Sequence, residues 1–337
     1  MEEKKSITEV MKELEKKYGK GAIIHGNETP EVINVIDSGS IGLNDALGVG
    51  GIPEGKIISI SGWQSTGKST LSQTIVGNAQ KKGHKCIYVD SENSIDLEYA
   101  KSLGVNMEEL YIIQMDEFAG EGAIDKVHKL VETGEIGLVI YDSYNAIQPR
   151  SVIQGDATDA NMGRHAKMMG NLVMKDNYLA TKYGTTFIYC GQFREKIGVM
   201  YGPTEIEQGG NALKFYAHVR LVVSRSITKD NTVMNGVDKI GNKTTIKVEK
   251  NKLAPPFKSC SFNIIYGKGI DKFQEIIDLG KSRDVLKLRA GIITYDNNKY
   301  NEEEFKLLLI DNPEFLKEIS DKILNKEIIE VYEDKKL

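Results

Sequence analysis

One stretch constrains the fold of this chain more than any other. Gly62-Trp63-Gln64-Ser65-Thr66-Gly67-Lys68-Ser69 fits G-x-x-x-x-G-K-[ST], the phosphate-binding loop of nucleotide hydrolases. Its flanks supply the context the motif needs. Lys56 to Ser61 reads as a short buried strand, and Thr70 to Lys82 reads as a helix closed by Gly83. Backbone N–H groups of a Gly-rich turn at a helix N-terminus point at phosphate oxygens, and the helix dipole favours the negative charge. Lys68 then reaches the β- and γ-phosphates, and the Ser69 hydroxyl holds Mg2+. The competing reading is a Gly/Ser turn that happens to contain a lysine. It leaves the strand and helix on either side without a role.

The chain has 337 residues, enough for one large domain with one or two small appendages. Its hydrophobic (40%) and charged (27%) fractions are those of a globular protein rather than a membrane or disordered one. No apolar run approaches the span of a bilayer. The start is charged from Glu2 to Lys5 with no apolar segment behind it, which argues against a signal peptide. Cys86, Cys190 and Cys260 lie far apart without metal spacing, and Cys86 and Cys190 sit in apolar strand-like runs. Together these features predict a reducing, cytoplasmic location. A net charge of −4 argues against a generally basic nucleic-acid binder but leaves room for a local groove.

Ser6 to Tyr18 is an amphipathic helix with a Ser6/Glu9 capping box and a Gly19 stop. On the residues alone, this arm folds back on its own domain or, as the second reading, packs on a neighbouring subunit. Beyond the phosphate loop, strands and helices alternate. Strands are expected at Cys86–Asp90, Leu110–Gln114, Gly137–Asp142 and Thr185–Cys190. Helices are expected at Asp96–Leu103, Gly122–Val131 and Ala160–Tyr183. Such alternation predicts an α/β fold with a mainly parallel central sheet covered on both faces. Strands at Val219–Arg225 and Thr244–Glu249 form a hairpin across the turn-rich 228–243, and Phe262–Tyr266 adds another strand. After Gly267-Lys268-Gly269 the chain turns helical and Lys/Glu-rich, with a small strand pair near Gly291 to Tyr300. The predicted organisation is an N-terminal arm (1–32), a core (33–268) and a small C-terminal α/β domain (269–337).

Ligands of such sheets bind outside the carboxyl ends of the strands. Three strand ends carry polar groups there. Asp142 closes an apolar run, the pattern of a residue that supports Mg2+ directly or through water. Glu92, just past the Ile87–Asp90 run, suits a base or a water-orienting group; the alternative is a solvated loop glutamate. Gln192, past the Phe187–Cys190 run, suits a sensor of the γ-phosphate; the alternative is a surface amide. Two long connections leave the same edge, 151–163 with Asp156 and Asp159, and 193–210 with Arg194 and Lys196. Basic residues beside apolar ones, as in Arg194-Glu195-Lys196-Ile197-Gly198-Val199-Met200, suit a nucleic-acid backbone and its bases. The alternative is a plain lid over the nucleotide.

Across nearly its whole length the chain resembles the bacterial-type RecA recombinases. The resemblance is carried by Ser38-Gly39-Ser40 through Asp45-Ala46-Leu47-Gly48 with Gly50-Gly51, and by the loop Gly62 to Thr70. It continues in Asp90-Ser91-Glu92 with Asp96 and Tyr99, in Asp142-Ser143, and in Met162-Gly163 with Met168-Met169. Lys196 to Met200, Gly209-Gly210-Asn211 through Tyr216, Lys250-Asn251-Lys252 and Pro256-Phe257 complete the series. The resemblance implies a RecA-like phosphate-loop core and a DNA-dependent ATPase that polymerises on single-stranded DNA. Such a protein pairs and exchanges homologous strands in recombination, DNA repair and the SOS response, using ATP and Mg2+. It implies that Lys68 and Ser69 bind triphosphate and metal, that Asp142 supports the metal, and that Glu92 activates water. Asp96 and Tyr99 would hold the adenine, and Gln192 would link the γ-phosphate to DNA. Lys250 and Lys252 would reach the next protomer's ATP site. The first DNA loop would include Met162, Gly163, Arg164 and Lys167. The second would run from Arg194 to Asn211, with Phe215 at the protomer contact. The N-terminal helix becomes a polymerisation arm, and single-strand-binding and loader proteins become candidate partners.

The chain also departs from the family. Trp63-Gln64 stands where Pro-Glu is usual, Lys167 where an arginine meets DNA, and Met174 where a basic residue is usual. Arg164 and His165 are added polar residues nearby, and Gly191 and Phe193 alter the flanks of Gln192. The sequence stops at Glu333-Asp334-Lys335-Lys336-Leu337 without the long acidic tail of many members. Such drift suits a phage-encoded member as well as a cellular one. Two other classes use the same core: a ring-shaped motor or helicase, separable by filament against ring in electron microscopy, and an ATP-binding regulator without turnover, separable by hydrolysis assays.

Overall fold

A computed structural model of the chain describes residues 5–19, 23, 32–116, 118–155, 163–195, 205–207, 210–225 and 232–333. The chain divides into two units, 1–34 and 35–337. The first contains α1 (Ile7–Tyr18). Its capping box is formed as the sequence predicts: Ser6 N donates to Glu9 Oε2 at 2.8 Å and Glu9 N to Ser6 Oγ at 3.3 Å.

The second unit opens with β1 (Val35–Ile36), α2 (Ile41–Ala46) and β2 (Ile52–Pro53), then β3 (Ile57–Gly62) and α3 (Lys68–Lys81). There follow β4 (Lys85–Asp90), α4 (Leu97–Ser102), β5 (Leu110–Gln114), α5 (Ala119–Val131), β6 (Ile136–Asp142), α6 (Arg150–Ile153) and α7 (Arg164–Tyr183). Next come β7 (Thr186–Glu195), β8 (Glu205–Glu207), α8 (Ala212–Tyr216), β9 (Val219–Arg225), β10 (Thr232–Asn235), β11 (Asp238–Asn251), β12 (Ser259–Ile265) and β13 (Gly269–Ile270). The last part holds α9 (Lys272–Ser282), β14 (Lys287–Arg289), β15 (Ile292–Tyr295), β16 (Asn298–Asn301), α10 (Glu302–Asp311) and α11 (Pro313–Glu333).

Among the described residues the main sheet has the order β13-β12-β11-β9-β3-β7-β6-β4-β5, with β10 on β11 and β8 on β7. From β9 to β5 all pairs are parallel; β11, β12 and β13 extend the sheet antiparallel. The mainly parallel α/β sheet predicted from alternation is present. Its strands alternate between two cores, as a period of two requires. Ile58, Ile60, Tyr88, Ile140 and Ile188 share one cluster with Leu71 and Ile75 of α3. Ile57, Val89, Val139, Tyr141 and Phe187 share the other with Val127 of α5 and Leu172 of α7. Both faces are covered, which explains why the strands read as near-continuous apolar runs.

Several boundaries differ from the sequence reading. The helix after the phosphate loop starts at Lys68, two residues earlier than its apolar pattern suggests. Gly67 at φ +100° ends the loop there, and a Cβ on it would lie 2.3 Å from Ile264 Cδ1. The long helix starts at Arg164, where Gly163 at φ +84° redirects the chain. β7 continues past Cys190 to Glu195 because Phe193, Arg194 and Glu195 pair with β8. The turn-rich stretch before Thr244 contains a hairpin, β10 against the first part of β11. The C-terminal strand pair is a three-stranded sheet. That sheet packs with α9, α10 and α11 around Ile277, Ile293, Phe305 and Ile319. Arg283 joins this cluster to the main body through Asp45, with Nη2 to Oδ2 at 2.7 Å.

Candidate active site

Parallel register aligns the predicted strand ends. Gly62 pairs with Gln192, Cys190 with Asp142, and Asp142 with Asp90. The phosphate loop therefore leaves β3 beside the ends of β7, β6 and β4. Gly62 has no room for a side chain: a Cβ would sit 2.2 Å from Val223 O. Ser65 takes φ +58°, and Gly67 turns the chain into α3, so the N-terminal N–H groups of α3 face the loop. Thr66 Oγ1 donates to Trp63 O at 2.9 Å. Lys68 Nζ donates to Gly62 O at 3.1 Å and to Trp63 O at 2.7 Å, so the lysine lies back over its own loop.

A cleft of about 970 Å3 opens beside this loop, lined by Ser65 to Thr70, Asp96, Tyr99, Tyr266 and Gly267 among others. Its size suits a nucleotide. Thr70 Oγ1 and Tyr99 Oη are 3.0 Å apart, which holds the ring against the start of α3. Asp96 caps α4, accepting from Tyr99 N at 3.0 Å, so the pair expected to hold adenine shares one turn.

Two carboxylates stand at the strand ends. Asp142 accepts from Tyr88 Oη at 2.6 Å, and the Ser69 hydroxyl lies close enough to help hold its pKa down. Burial pushes the Asp142 carboxyl above its usual range, with Tyr88, Ser69 and Lys68 opposing. Burial likewise pushes the Lys68 amine below its usual range, with Asp142 and Glu92 among the charges that oppose it. A half-buried carboxylate beside a hydroxyl is a hard-oxygen donor set that fits Mg2+, which takes few protein ligands when phosphate oxygens complete its shell. Glu92 Oε1 accepts from Ser143 Oγ at 2.8 Å and from Gln192 Nε2 at 3.0 Å. Gln192 is itself placed by its backbone N–H, which donates to Asn145 Oδ1 at 2.8 Å.

Lys250 and Lys252 lie elsewhere on the chain. Lys250 is in register with Arg220 of β9, and Arg220 with Ser59; Lys252 N donates to His218 O, and His218 N to Ile57 O. Both lysines thus sit toward the amino end of β3, roughly 10–16 Å of strand back from Gly62. Lys250 Nζ donates to Lys214 O at 2.6 Å and to Phe215 O at 3.0 Å, and Lys252 Nζ to Phe215 O at 3.2 Å. These bonds cap the end of α8 and leave Phe215 exposed. Burial, then the charges of Lys252 and Arg220, push the Lys250 amine down.

Of the residues expected in the two DNA loops, Gly163 caps α7, Arg164 Nη1 donates to Ser151 O at 3.2 Å, and Lys167 is exposed. Arg194 is exposed on β7 beside Ile206 of β8. Gly210 (φ +80°) packs on Ala166 of α7, and Asn211 caps α8, so the ends of the two loops meet. Met162, Lys196, Ile197, Gly198, Val199, Met200 and Gly209 lie outside the described residues, as do Asp156 and Asp159.

Sequence reasoning missed several neighbours. Ser143 was adjacent to a recognised residue, but its contact with Glu92 crosses two strands. Arg225 donates to Ser65 O at 3.0 Å, and Asn242 Nδ2 to Tyr266 Oη at 2.6 Å at the cleft wall. These come from the antiparallel half of the sheet, and no local pattern announces them.

Comparison with known proteins places this geometry in context. The family model described as RecA N-terminal domain matches residues 5–271. Protein RecA of Campylobacter fetus is 42% identical over 324 residues, covering 95% of this chain and 92% of that protein. Protein RecA of Streptomyces coelicolor is 41% identical over 325 residues, covering 96% of this chain and 85% of that protein.

Proposed function

The chain belongs to the RecA family, and on that premise we propose that Glu92, Lys68 and Gln192 form the turnover site of its DNA-gated ATPase. As a member it is a DNA-dependent ATPase of recombination and DNA repair, one that binds DNA and forms filaments. The finer assignments are ours. The observation that carries them is the Ser143–Glu92–Gln192 cluster at the strand end beside the Lys68 loop.

Lys68 neutralises phosphate charge, exchanging its bonds to Gly62 O and Trp63 O for phosphate oxygens. Ser69 and Asp142 hold Mg2+, which supplies charge neutralisation at the phosphates. Asp96 and Tyr99 hold the base. Glu92 orients the attacking water and takes its proton. Gln192 is shared between Glu92 and the strand that enters the second DNA loop, so nucleotide and DNA compete for one amide. Lys250 and Lys252 are too far back along the sheet to serve their own loop, which supports a role in the next protomer's site. The capped amphipathic α1 supports the same head-to-tail assembly as a polymerisation arm. Gly163, Arg164, Lys167, Arg194, Gly210 and Asn211 frame the DNA path together with Met162, Lys196 to Met200 and Gly209. Single-strand-binding and loader proteins are the partners such a filament needs, and the cytoplasm is its compartment.

The test is ATP hydrolysis with and without single-stranded DNA, with strand exchange as the second readout. Strong stimulation by DNA is expected. Equal turnover in both conditions would sink the DNA-gated reading.

A further inference from the structure

The register that pairs Gly62 with Gln192 also makes the next two residues neighbours. Trp63 and Phe193 meet edge to face, with ring centroids 6.2 Å apart and planes at 76°. That geometry is the favourable one for an aromatic pair. Trp63 belongs to the phosphate loop, and Phe193 follows Gln192 on β7. Gly191, just before Gln192, leaves no room for a side chain: a Cβ there would lie 2.5 Å from Tyr144 Cε1. Trp63 O accepts from Lys68 and Thr66, so a shift of Trp63 moves the acceptor that holds the phosphate-loop lysine. Phe193 starts the β7 extension that pairs with Glu207 of β8, at the base of the second loop.

We propose that the Trp63–Phe193 contact is a second coupling element, passing DNA occupancy of the second loop to the phosphate loop in parallel with Gln192. It rests on the reading that 194–211 is a DNA loop. Gln192 and Phe193 project to opposite sides of β7, so the two links act on different partners: the amide on Glu92, the ring on the phosphate loop. Phe193 is here a positioning residue. Coupling of this kind is reciprocal, so DNA tightens nucleotide binding by the same factor as nucleotide tightens DNA binding.

Trp63 is the only tryptophan, so its emission reports the contact directly. Nucleotide affinity is measured on the full chain by Trp63 emission, with and without oligothymidylate. Oligothymidylate affinity is measured separately with and without ATP. In the unaltered chain, oligothymidylate alone shifts Trp63 emission. Phe193→Leu is expected to lose that shift and to reduce both coupling factors equally, by roughly three- to ten-fold. Phe193→Tyr keeps the ring and is expected to keep the shift and the factors. Its Trp63 response to ATP alone checks that the fold is intact. Unaltered coupling in Phe193→Leu overturns the aromatic link and leaves the ATPase reading standing. No oligothymidylate binding by the unaltered chain overturns both.

Discussion

Gln192 Nε2 lies 3.0 Å from Glu92 Oε1, so the amide at the root of the second loop is bonded to the proposed base. Ser143 Oγ holds the same oxygen at 2.8 Å. Glu92→Gln preserves size and polarity but cannot take a proton. It should bind ATP and DNA normally and lower turnover by about two or more orders of magnitude. Single-turnover hydrolysis, with nucleotide binding read from Trp63, checks this. Hydrolysis within a few-fold of the unaltered chain would move the base elsewhere.

Lys68 is the charge the phosphate loop is built around. Removing it as Lys68→Ala leaves Gly62 O and Trp63 O without their donor and the phosphates without a cation. ATP affinity should fall by on the order of one hundred-fold, and ATP-dependent DNA binding should go with it. Titration of Trp63 emission with ATP measures the first loss, and a gel shift the second.

The placement of Lys250 and Lys252 away from their own loop makes a complementation experiment decisive. In a head-to-tail filament each site takes Glu92 from one protomer and the lysines from the next. Glu92→Gln protomers alone should be inactive, as should Lys250→Ala/Lys252→Ala protomers. An equal mixture should regain about one quarter of full turnover, the random frequency of intact pairs. A mixture as inactive as its parts would assign the lysines to their own protomer or to the capping of α8, and turnover by the Lys250→Ala/Lys252→Ala protomers alone would give them no catalytic role.

Much of this was legible in the sequence for a physical reason. A phosphate loop needs its glycines, lysine and serine contiguous, and a buried parallel strand needs an unbroken apolar run. Gly62 to Ser69 and Leu138 to Asp142 show both. Strand ends in register then bring Glu92, Asp142 and Gln192 together, which alternation alone predicts once the sheet is parallel. What stayed hidden is non-local. The contacts of Arg225 with Ser65, of Ser143 with Glu92 and of Trp63 with Phe193 join residues distant in the chain. The β10 strand was hidden by turn residues, because its partner, not its composition, makes it a strand.

Glu275 gives a pH dependence with a definite sign. Its Oε1 accepts from Ser40 Oγ and, at 3.0 Å, from Gly42 N, while Oε2 is buried without a partner among the described residues. Burial pushes this carboxyl up to about 7, against the hydrogen bonds of Ser40 and Gly42. A carboxyl raised in the folded state binds protons more tightly there than in the unfolded chain. Its contribution is full below the unfolded value and is lost as pH rises through about 7. The span is on the order of 3 kcal/mol. Glu275→Gln should flatten this part of the profile. Thermal melts from acid to mildly alkaline pH test it; an unchanged slope in Glu275→Gln would remove Glu275 as the cause.

The DNA path makes a prediction in salt. Lys167 and Arg194 are exposed at the described ends of the two loops, and a phosphate contact by either releases counterions. For single strands, each contact adds about 0.7 to the slope of log affinity against log salt. Lys167→Ala should therefore weaken binding uniformly across sequences and lower that slope by about 0.7. Lys167→Arg keeps the single positive charge, so it should leave the slope unchanged and tighten binding, because a guanidinium grips phosphate with two parallel bonds where an ammonium gives one point charge. Anisotropy of a labelled oligothymidylate with ATP, between about 50 and about 200 mM salt, measures both. A slope untouched by Lys167→Ala would take Lys167 off the backbone path and leave Arg194 and the second loop to carry the DNA contact.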